Sequence, residues 1–350
     1  MKALCTLSLI TLVGTCATPK YTTKIQNIKD SIILTDSVLV MKYASTITAN
    51  ELKTNLYQFC SDEFEGRKVG EPGQKKAALY LKNYYQSQSI ASPFRNDKYF
   101  QTVPSNFMND KYESSENVLA FIEGTEKPGE VVIVSAHLDH LGVSENGTIY
   151  PGADDDGSGN VALMEMAQAF KIAKNQGYGP KRSVLFLHLT AEEVGQLGSN
   201  YYVSHPAFPL SQTIANLNID MIGRVDEQQK DNENYIYLIG SDRLSKELHY
   251  LSEKVNSTFF NIDLDYRYNA ENDPNHYYSR SDHYNFALQG IPVIFYFNGV
   301  HADYHKETDT PDKINFPLLE KRTQLIFATA WQIANQQRRL VTDQCNELLK

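Results

Sequence analysis

The stretch EVVIVSAHLDH, residues 130–140, decides the fold. Val131, Val132, Ile133 and Val134 follow one another with no polar alternate. A strand with one face in water alternates apolar and polar side chains, whereas a strand covered on both faces reads as a continuous apolar run. The run therefore predicts an interior strand of a sheet packed on both sides. It ends in His137 and Asp139.

Working outward, NVLAFIEG (117–124), SVLFLHLT (183–190), TIANLNID (213–220), YIYLIG (235–240) and IPVIFYF (291–297) read as further strands. Helical patterns fall between them. One follows Gly159 with VALMEMAQAF, a short one lies in GQLGSNYYVSH, and one runs from Arg243 to Val255. The last puts Leu319, Ile326, Ala330 and Ile333 on one face. Upstream, Thr48-Ala-Asn-Glu51 has the spacing of a capping box, with Leu52, Leu56 and Phe59 at helical intervals behind it. The loop SDEFEGRKVGEPG then leads to a second helix, QKKAALYLKNYYQ. Strands alternating with helices predict one α/β domain over residues 47–350. Its expected architecture is a three-layer α/β/α sandwich whose central sheet is mixed but mostly parallel.

The N-terminal residues read differently. Residues 17–46, rich in Thr and Lys apart from SVLVMKY, read as a tether and lead-in. Before them, Met1-Lys2 and ALCTLSLITLVGT form the basic start and short apolar stretch of a secretory signal, too short to span a bilayer. Leu12-Val13-Gly14-Thr15-Cys16 resembles a bacterial lipoprotein signal, cut before a Cys that takes lipid. A simply cleaved signal peptide over residues 1–16 is the alternative. Either reading exports the chain, as an anchored lipoprotein of the periplasm or cell surface, or as a free periplasmic or secreted protein. A lipid on Cys16 would be its one membrane contact. Cys5 lies in the signal, which leaves Cys60 and Cys345 as a disulfide or as two buried thiols.

The 350 residues are 41% hydrophobic and 21% charged, which suits a globular domain. A formal net charge of −9 and the lack of any dense Lys/Arg block argue against a nucleic-acid partner. Nothing in these properties fixes an oligomeric state.

Ligands of open α/β sheets collect at the carboxyl ends of the strands. There the sequence places His137 and Asp139; then GADDDGSG (152–159) with Asp154, Asp155 and Asp156; then Glu192 and Glu193 in TAEEVG. Asp220 ends the strand at 213–219, and His301 and His305 follow the strand at 291–297 in NGVHADYHKETDT. Each has an ordinary reading when taken alone. His137 reads as a buried histidine bonded to Asp139, and Asp220 as a strand end. The Glu192-Glu193 pair suits a helix start favoured by the dipole, and the two later histidines suit a surface loop. The aspartates read as a helix cap, for which one Asp or Ser158 would suffice. Independent surface residues have no reason to gather at one sheet edge, however. Histidines and carboxylates without cysteine form a ligand set that zinc accepts.

GADDDGSG, preceded by AHLDH and followed by TAEEVGQLGS, NIDMIG and HKETDT, resembles the co-catalytic zinc aminopeptidases of the bacterial leucyl aminopeptidase and aminopeptidase Y type. Glutamate carboxypeptidases and glutaminyl cyclases are relatives of that family. EFEGRKVGEPGQKKA and SDHYNF also look like its secreted bacterial members, so the resemblance covers about residues 48–335. It implies a peptide substrate and two zinc ions, with His137 and Asp220 on one and Glu193 and His305 on the other. Asp155 would bridge both. Glu192 would be the general base toward a water held between the metals, Asp139 would orient His137, and Asp309 would support the ligands from behind. His305 is preferred to His301 because the family's last His stands a short fixed distance before Asp-Thr, here Asp309-Thr310.

The expected reaction is hydrolysis of the N-terminal peptide bond. A glutaminyl cyclase is an alternative, although such members usually depart from the GADDDGSG pattern. A carboxypeptidase would need a cation for the substrate's carboxylate, and Arg224 and Arg280 are candidates with equally good readings as surface or salt-bridged residues. A non-catalytic surface binding protein would be expected to have lost Glu192 or a ligand. Residues 262–286, with Tyr266, Tyr268, His276, Tyr277 and Tyr278, form a candidate pocket wall. Arg280, Asp282 and His283 follow as candidate pocket residues, His283 being either a substrate or His305 contact or a buried structural histidine.

Overall fold

The computed structural model describes residues 20–349; the expected signal segment and Cys16 lie outside the described residues. The strands are β1 (Phe100–Val103), β2 (Ser115–Ile122), β3 (Lys127–His137), β4 (Gly142–Val143) and β5 (Ile149–Tyr150). They continue with β6 (Arg182–Leu189), β7 (Thr213–Ile219), β8 (Tyr235–Ile239), β9 (Asp263–Asp265) and β10 (Val293–Phe297). The helices are α1 (Tyr21–Ser31), α2 (Ser37–Ala44), α3 (Ala49–Phe59), α4 (Pro72–Ser87) and α5 (Gly159–Asn175). After them come α6 (Leu197–Ser204), α7 (Lys246–Phe259), α8 (His283–Leu288) and α9 (Phe316–Asn335).

Eight strands share one sheet in the order β1-β2-β6-β3-β7-β10-β8-β9, while β4 and β5 pair apart from it. The centre is parallel, with β3 between β6 and β7, and β10 beside β7. β2 runs antiparallel to β6 and β8 antiparallel to β10, which makes the sheet mixed. Along β3, Val132, Val134 and Ala136 face the larger core shared with α5 and α9. Val131 and Ile133 face a second core with Tyr202 of α6 and Phe286 of α8. The uninterrupted apolar run thus serves two cores at once. Each fully buried Val or Ile contributes roughly 1.5–3 kcal/mol relative to exposure.

Residues 21–44, expected to be a tether and lead-in, instead form α1 and α2. Ile25, Ile28 and Ile32 keep a helical spacing within the Thr/Lys-rich composition, and Ile28 and Ile32 are buried. The Asp36 side chain caps α2 by accepting from Leu39 N. Tyr43 stacks on Trp331 of α9, ring centroids 5.5 Å apart. The segment is docked on the domain by burying one stripe of each short helix. Cys60 is buried and Cys345 exposed, both unpaired, so neither the expected disulfide nor a pair of buried thiols is present. Among the described residues no helix is long and apolar enough to cross a membrane.

Glu165 is an acid inside the helical layer. Its Oε1 accepts from Asn55 at 2.9 Å, and burial pushes its pKa up to about 8, aided by repulsion from Glu51. A folded-state pKa above the ordinary 4.5 means that the native chain holds a proton the unfolded chain has released. Stability is therefore full below about pH 4.5 and declines as pH rises toward about 8. Glu165→Gln removes this decline. Denaturant melts of both chains at pH 5 and 8.5 should show the variant gaining on the wild type at the higher pH, on the order of a few kcal/mol at 1.4 kcal/mol per pKa unit. An equal difference at both pH values would contradict the assignment.

Candidate active site

Four strand ends supply the site. β3 ends at His137, β6 is followed by Glu192 and Glu193, β7 by Asp220, and β10 by the loop with His301 and His305. The aspartate triplet enters from below, between Gly152 and α5. Gly152 sits at φ +56°, and an added Cβ would come within 2.6 Å of the His140 ring and 2.2 Å of Asp155 O, so only glycine fits.

The three aspartates have distinct tasks. Asp156 accepts from three backbone N–H groups: His137 at 3.1 Å, Met221 at 3.1 Å and Gly159 at 3.0 Å. It therefore ties together β3, the end of β7 and the start of α5. Asp154 accepts from Gly223 N at 2.7 Å, and its other oxygen lies 3.2 Å from His301 Nε2. Asp309 accepts from the N–H groups of Asp154 and Asp155 at 3.0 and 3.2 Å. These three carboxylates hold backbone. Asp155, by contrast, points its carboxylate at His137 and His305, with Oδ1 3.1 Å from His137 Nε2 and Oδ2 3.0 Å from His305 Nε2.

Around Asp155 two groups converge. On one side Asp220 Oδ1 lies 3.5 Å from His137 Nε2. On the other, Glu193 Oε2 lies 3.1 Å from His305 Nε2. The expected ligand positions His137, Asp155, Glu193, Asp220 and His305 thus meet in one place, and it is His305 rather than His301 that reaches them. His137 Nδ1 donates to the backbone carbonyl of Asp139 at 3.0 Å. A carbonyl can only accept, so Nδ1 carries a proton and Nε2 is the nitrogen turned inward. Asp139 thus orients His137 through its backbone. Its carboxylate accepts instead from the N–H groups of Glu192 and Glu193, at 3.1 and 3.4 Å. Ala191, Met221 and His305 hold left-handed backbone at φ 59°, 72° and 57°. Such positions cost ~1–3 kcal/mol each and persist where the surroundings impose them, as here beside Glu192 and Asp220 and at His305 itself.

Charge in the cluster is out of balance. Burial, with repulsion from Asp220, Asp282 and Glu193, pushes Glu192 well above the usual carboxylate range, while His137 opposes. Burial raises Asp156 as well, and lifts Asp139 to about 6, Asp309 to about 6 and Asp282 to about 7. Burial opposes protonation of His137, yet Asp220 and Asp155 hold it well above its ordinary value. A buried site this rich in carboxylates calls for positive charge beyond its histidines.

The directions of the contacts show where that charge fits. His137 and His305 approach the carboxylates closely but outside hydrogen-bond geometry, and buried Asp155 Oδ2 makes no hydrogen bond. Ring nitrogens and carboxylate oxygens turned to a shared point suit a cation between them, which would take the place of the imidazole protons. His137, Asp155 and Asp220 could hold one metal ion, and His140, Asp155 and Glu193 lie close enough together to hold a second, with His305 Nε2 3.0 Å from Asp155 and 3.1 Å from Glu193 on that side.

Several contributors escaped the sequence reading. His140 donates from Nδ1 to Glu193 Oε1 at 2.9 Å; it stood in the quoted AHLDH, one residue past Asp139. Arg67, fully buried, donates to the carbonyls of Phe59, Leu138, Pro151 and Gly152, clamping the loop after β3 to the one before the aspartates. Its only sequence signal was its place in EFEGRKVG. Tyr304 stacks on His305 with centroids 3.9 Å apart, and adjacency in sequence was its one clue. Asn160 donates to the carbonyls of His137 and Asp156 and receives from His188 Nδ1 at 2.6 Å, with Tyr85 OH on His188 Nε2. Burial lowers His188 to about 3, so this chain is neutral and has one direction.

The expected pocket wall is divided: His276 and Tyr278 line a surface cavity, while Tyr268, Asp282 and His283 are buried. His283 is fully buried, stacked on Phe295 at 4.7 Å, and makes no contact with His305: it is a structural histidine. Asp282 is fully buried among the charges of His137, Asp139 and Asp220 and lines no wall. Tyr268 and Tyr277 pack edge to face with each other, and Tyr266 packs on His249 of α7. Arg280 is exposed over the Tyr277 ring. Arg224 Nη2 donates to Asp303 at 2.9 Å, and its Nη1 lies 3.9 Å from Asp309.

Comparison with known proteins agrees with this arrangement. Residues 117–330, more than half of the chain, match the model of peptidase family M28. Aminopeptidase YwaD of Bacillus subtilis is 26% identical over 239 residues, covering 65% of this chain and 46% of that protein. A probable leucine aminopeptidase 2 of Aspergillus oryzae is 34% identical over 194 residues, covering 55% of this chain and 35% of that one. The chain thus spans less than half the length of these two relatives. LapB from Legionella pneumophila has the same fold, with TM-score 0.70 at 21% identity over 91% of this chain and 82% of that one. So has BSAP, a zinc aminopeptidase from Bacillus subtilis, with TM-score 0.64 at 16% identity over 84% and 98%. The chain belongs to peptidase family M28.

Proposed function

We propose that the chain is a zinc-dependent aminopeptidase that removes the N-terminal residue of peptides. The observation that carries this reading is Asp155, whose two oxygens face two imidazoles outside hydrogen-bond geometry. His137 and Asp220 would hold one zinc ion, Glu193 and His305 the other, and Asp155 both. The three carboxylates nearly neutralise two dications. Two zinc ions, when bound, lower the pKa of water and polarise the scissile carbonyl.

The chain's own residues do the rest. Glu192 has its backbone N–H fixed on Asp139 and its carboxyl in an environment that favours proton uptake. It accepts the proton of the attacking water and passes it to the leaving amine. Asp139 places Glu192 and Glu193 together, which keeps base and ligand in register. The acid-rich site favours an ammonium end of the substrate over a carboxylate end. This supports aminopeptidase over carboxypeptidase action.

A panel of dipeptides with free, acetylated and glutaminyl N-termini tests the proposal, each incubated with the zinc-loaded chain. Cleavage of the free-amine peptides alone is expected. Equal cleavage of acetylated peptides, or cyclisation of glutaminyl ones without hydrolysis, would refute it.

A further inference from the structure

We infer that His140 is a positioning residue that donates a hydrogen bond to Glu193 and so selects which oxygen of that carboxylate faces the metal. The inference rests on the two-zinc reading above and adds a residue to it. His140 stands three positions after His137 and is 1% exposed. Its backbone N–H is bonded to Arg67 O at 3.2 Å, and its ring lies against Gly152, where even a Cβ would collide with it. The ring is therefore held on both sides.

Glu193 meets two imidazoles, and the two contacts differ in kind. His140 Nδ1 reaches Oε1 at 2.9 Å with the direction of a hydrogen bond. His305 Nε2 lies 3.1 Å from Oε2 as an ion-pair contact. The carboxylate thus spends one oxygen on an N–H donor and turns the other, beside His305 Nε2, to a shared point. A carboxylate can only accept from Nδ1, so His140 is protonated there and its other ring nitrogen is Nε2. That atom is buried and without a hydrogen-bond partner. A rotation of Glu193 about its terminal bond would exchange the two oxygens. The His140 bond opposes that rotation, as outer hydrogen bonds to metal-binding side chains commonly do.

The test uses the full chain stripped of metal and titrated with zinc against a chromophoric chelator. His140→Leu keeps the ring's bulk and loses the donor, with His140→Ala in its place should the leucine chain not fold. His140→Asn keeps a donor near the position of Nδ1. The wild type is expected to bind two zinc ions, and His140→Leu to weaken one of them about 10–100-fold while leaving the other unchanged. His140→Asn should return that zinc to within a few-fold of wild type. Wild-type binding of both ions by His140→Leu would overturn the inference. Equal loss in the Asn and Leu chains would also overturn it, because His140 would then be a ligand itself. A wild type that takes up no zinc refutes the two-zinc reading, and this inference with it.

Discussion

Glu192→Gln is expected to lower kcat by about 10²–10⁴-fold, the usual worth of general acid–base catalysis, while both zinc ions stay bound. Glutamine keeps the shape of the side chain and cannot take a proton. The Glu192 N–H bond to Asp139 is a backbone bond and survives the change. The close approaches to His137 and His305 are made by Asp155, Asp220 and Glu193, so the metal positions keep those residues. Steady-state kinetics beside zinc analysis separate the two effects. A loss of zinc together with activity would make Glu192 a ligand, and unchanged kcat would remove it from the mechanism.

Asp155→Asn should act on both metals at once. The substitution is nearly isosteric, and the backbone N–H of residue 155 can still bond to Asp309. What disappears is the one negative charge that faces both imidazoles. Loss of an outer hydrogen-bond partner alone costs 10–100-fold in metal affinity, so loss of a carboxylate shared by two ions should weaken at least one by more than about 100-fold. Activity should fall with it. Asp156→Asn makes a useful contrast, because its carboxylate holds three backbone N–H groups and approaches no metal position directly. Zinc affinity unchanged by Asp155→Asn would contradict the bridging assignment.

Much of the site was legible because strand direction does the gathering. Once β3, β6, β7 and β10 are read as parallel, their carboxyl ends must meet, and His137, Glu193, Asp220 and His305 come with them. The division of labour within Asp154-Asp155-Asp156 was not legible from charge, since all three residues are alike in sequence. It follows from which backbone N–H groups surround each carboxylate, those of residues 137 and 221 on Asp156 and of 223 on Asp154, and from the Asp309 carboxylate that accepts the N–H of Asp154. His140 was passed over for a similar reason: its partner Glu193 is 53 positions away and becomes visible only when β6 lies beside β3.

The fold shows the same division between local and distant causes. The apolar runs of β3 and β6 announce burial on both faces, but no residue in β2 or β8 announces that it runs antiparallel to its neighbour. α1 and α2 were hidden by composition, because Thr and Lys outnumber the few isoleucines that dock them. The tyrosines of 262–286 looked like a substrate wall because aromatic residues serve pockets and cores alike. The structure buries Tyr268 against Tyr237 at 4.6 Å and leaves Tyr266, Tyr277 and Tyr278 half-buried against the cores.

The account stands or falls on Asp155 lying between two metal ions, and counting zinc tests it most directly. The chain would be purified without chelators, dialysed against trace zinc and analysed for metal per polypeptide. Two zinc ions per wild-type chain, lost in part or in full on Asp155→Asn, is the predicted result. No zinc, or a single ion indifferent to Asp155, would contradict it.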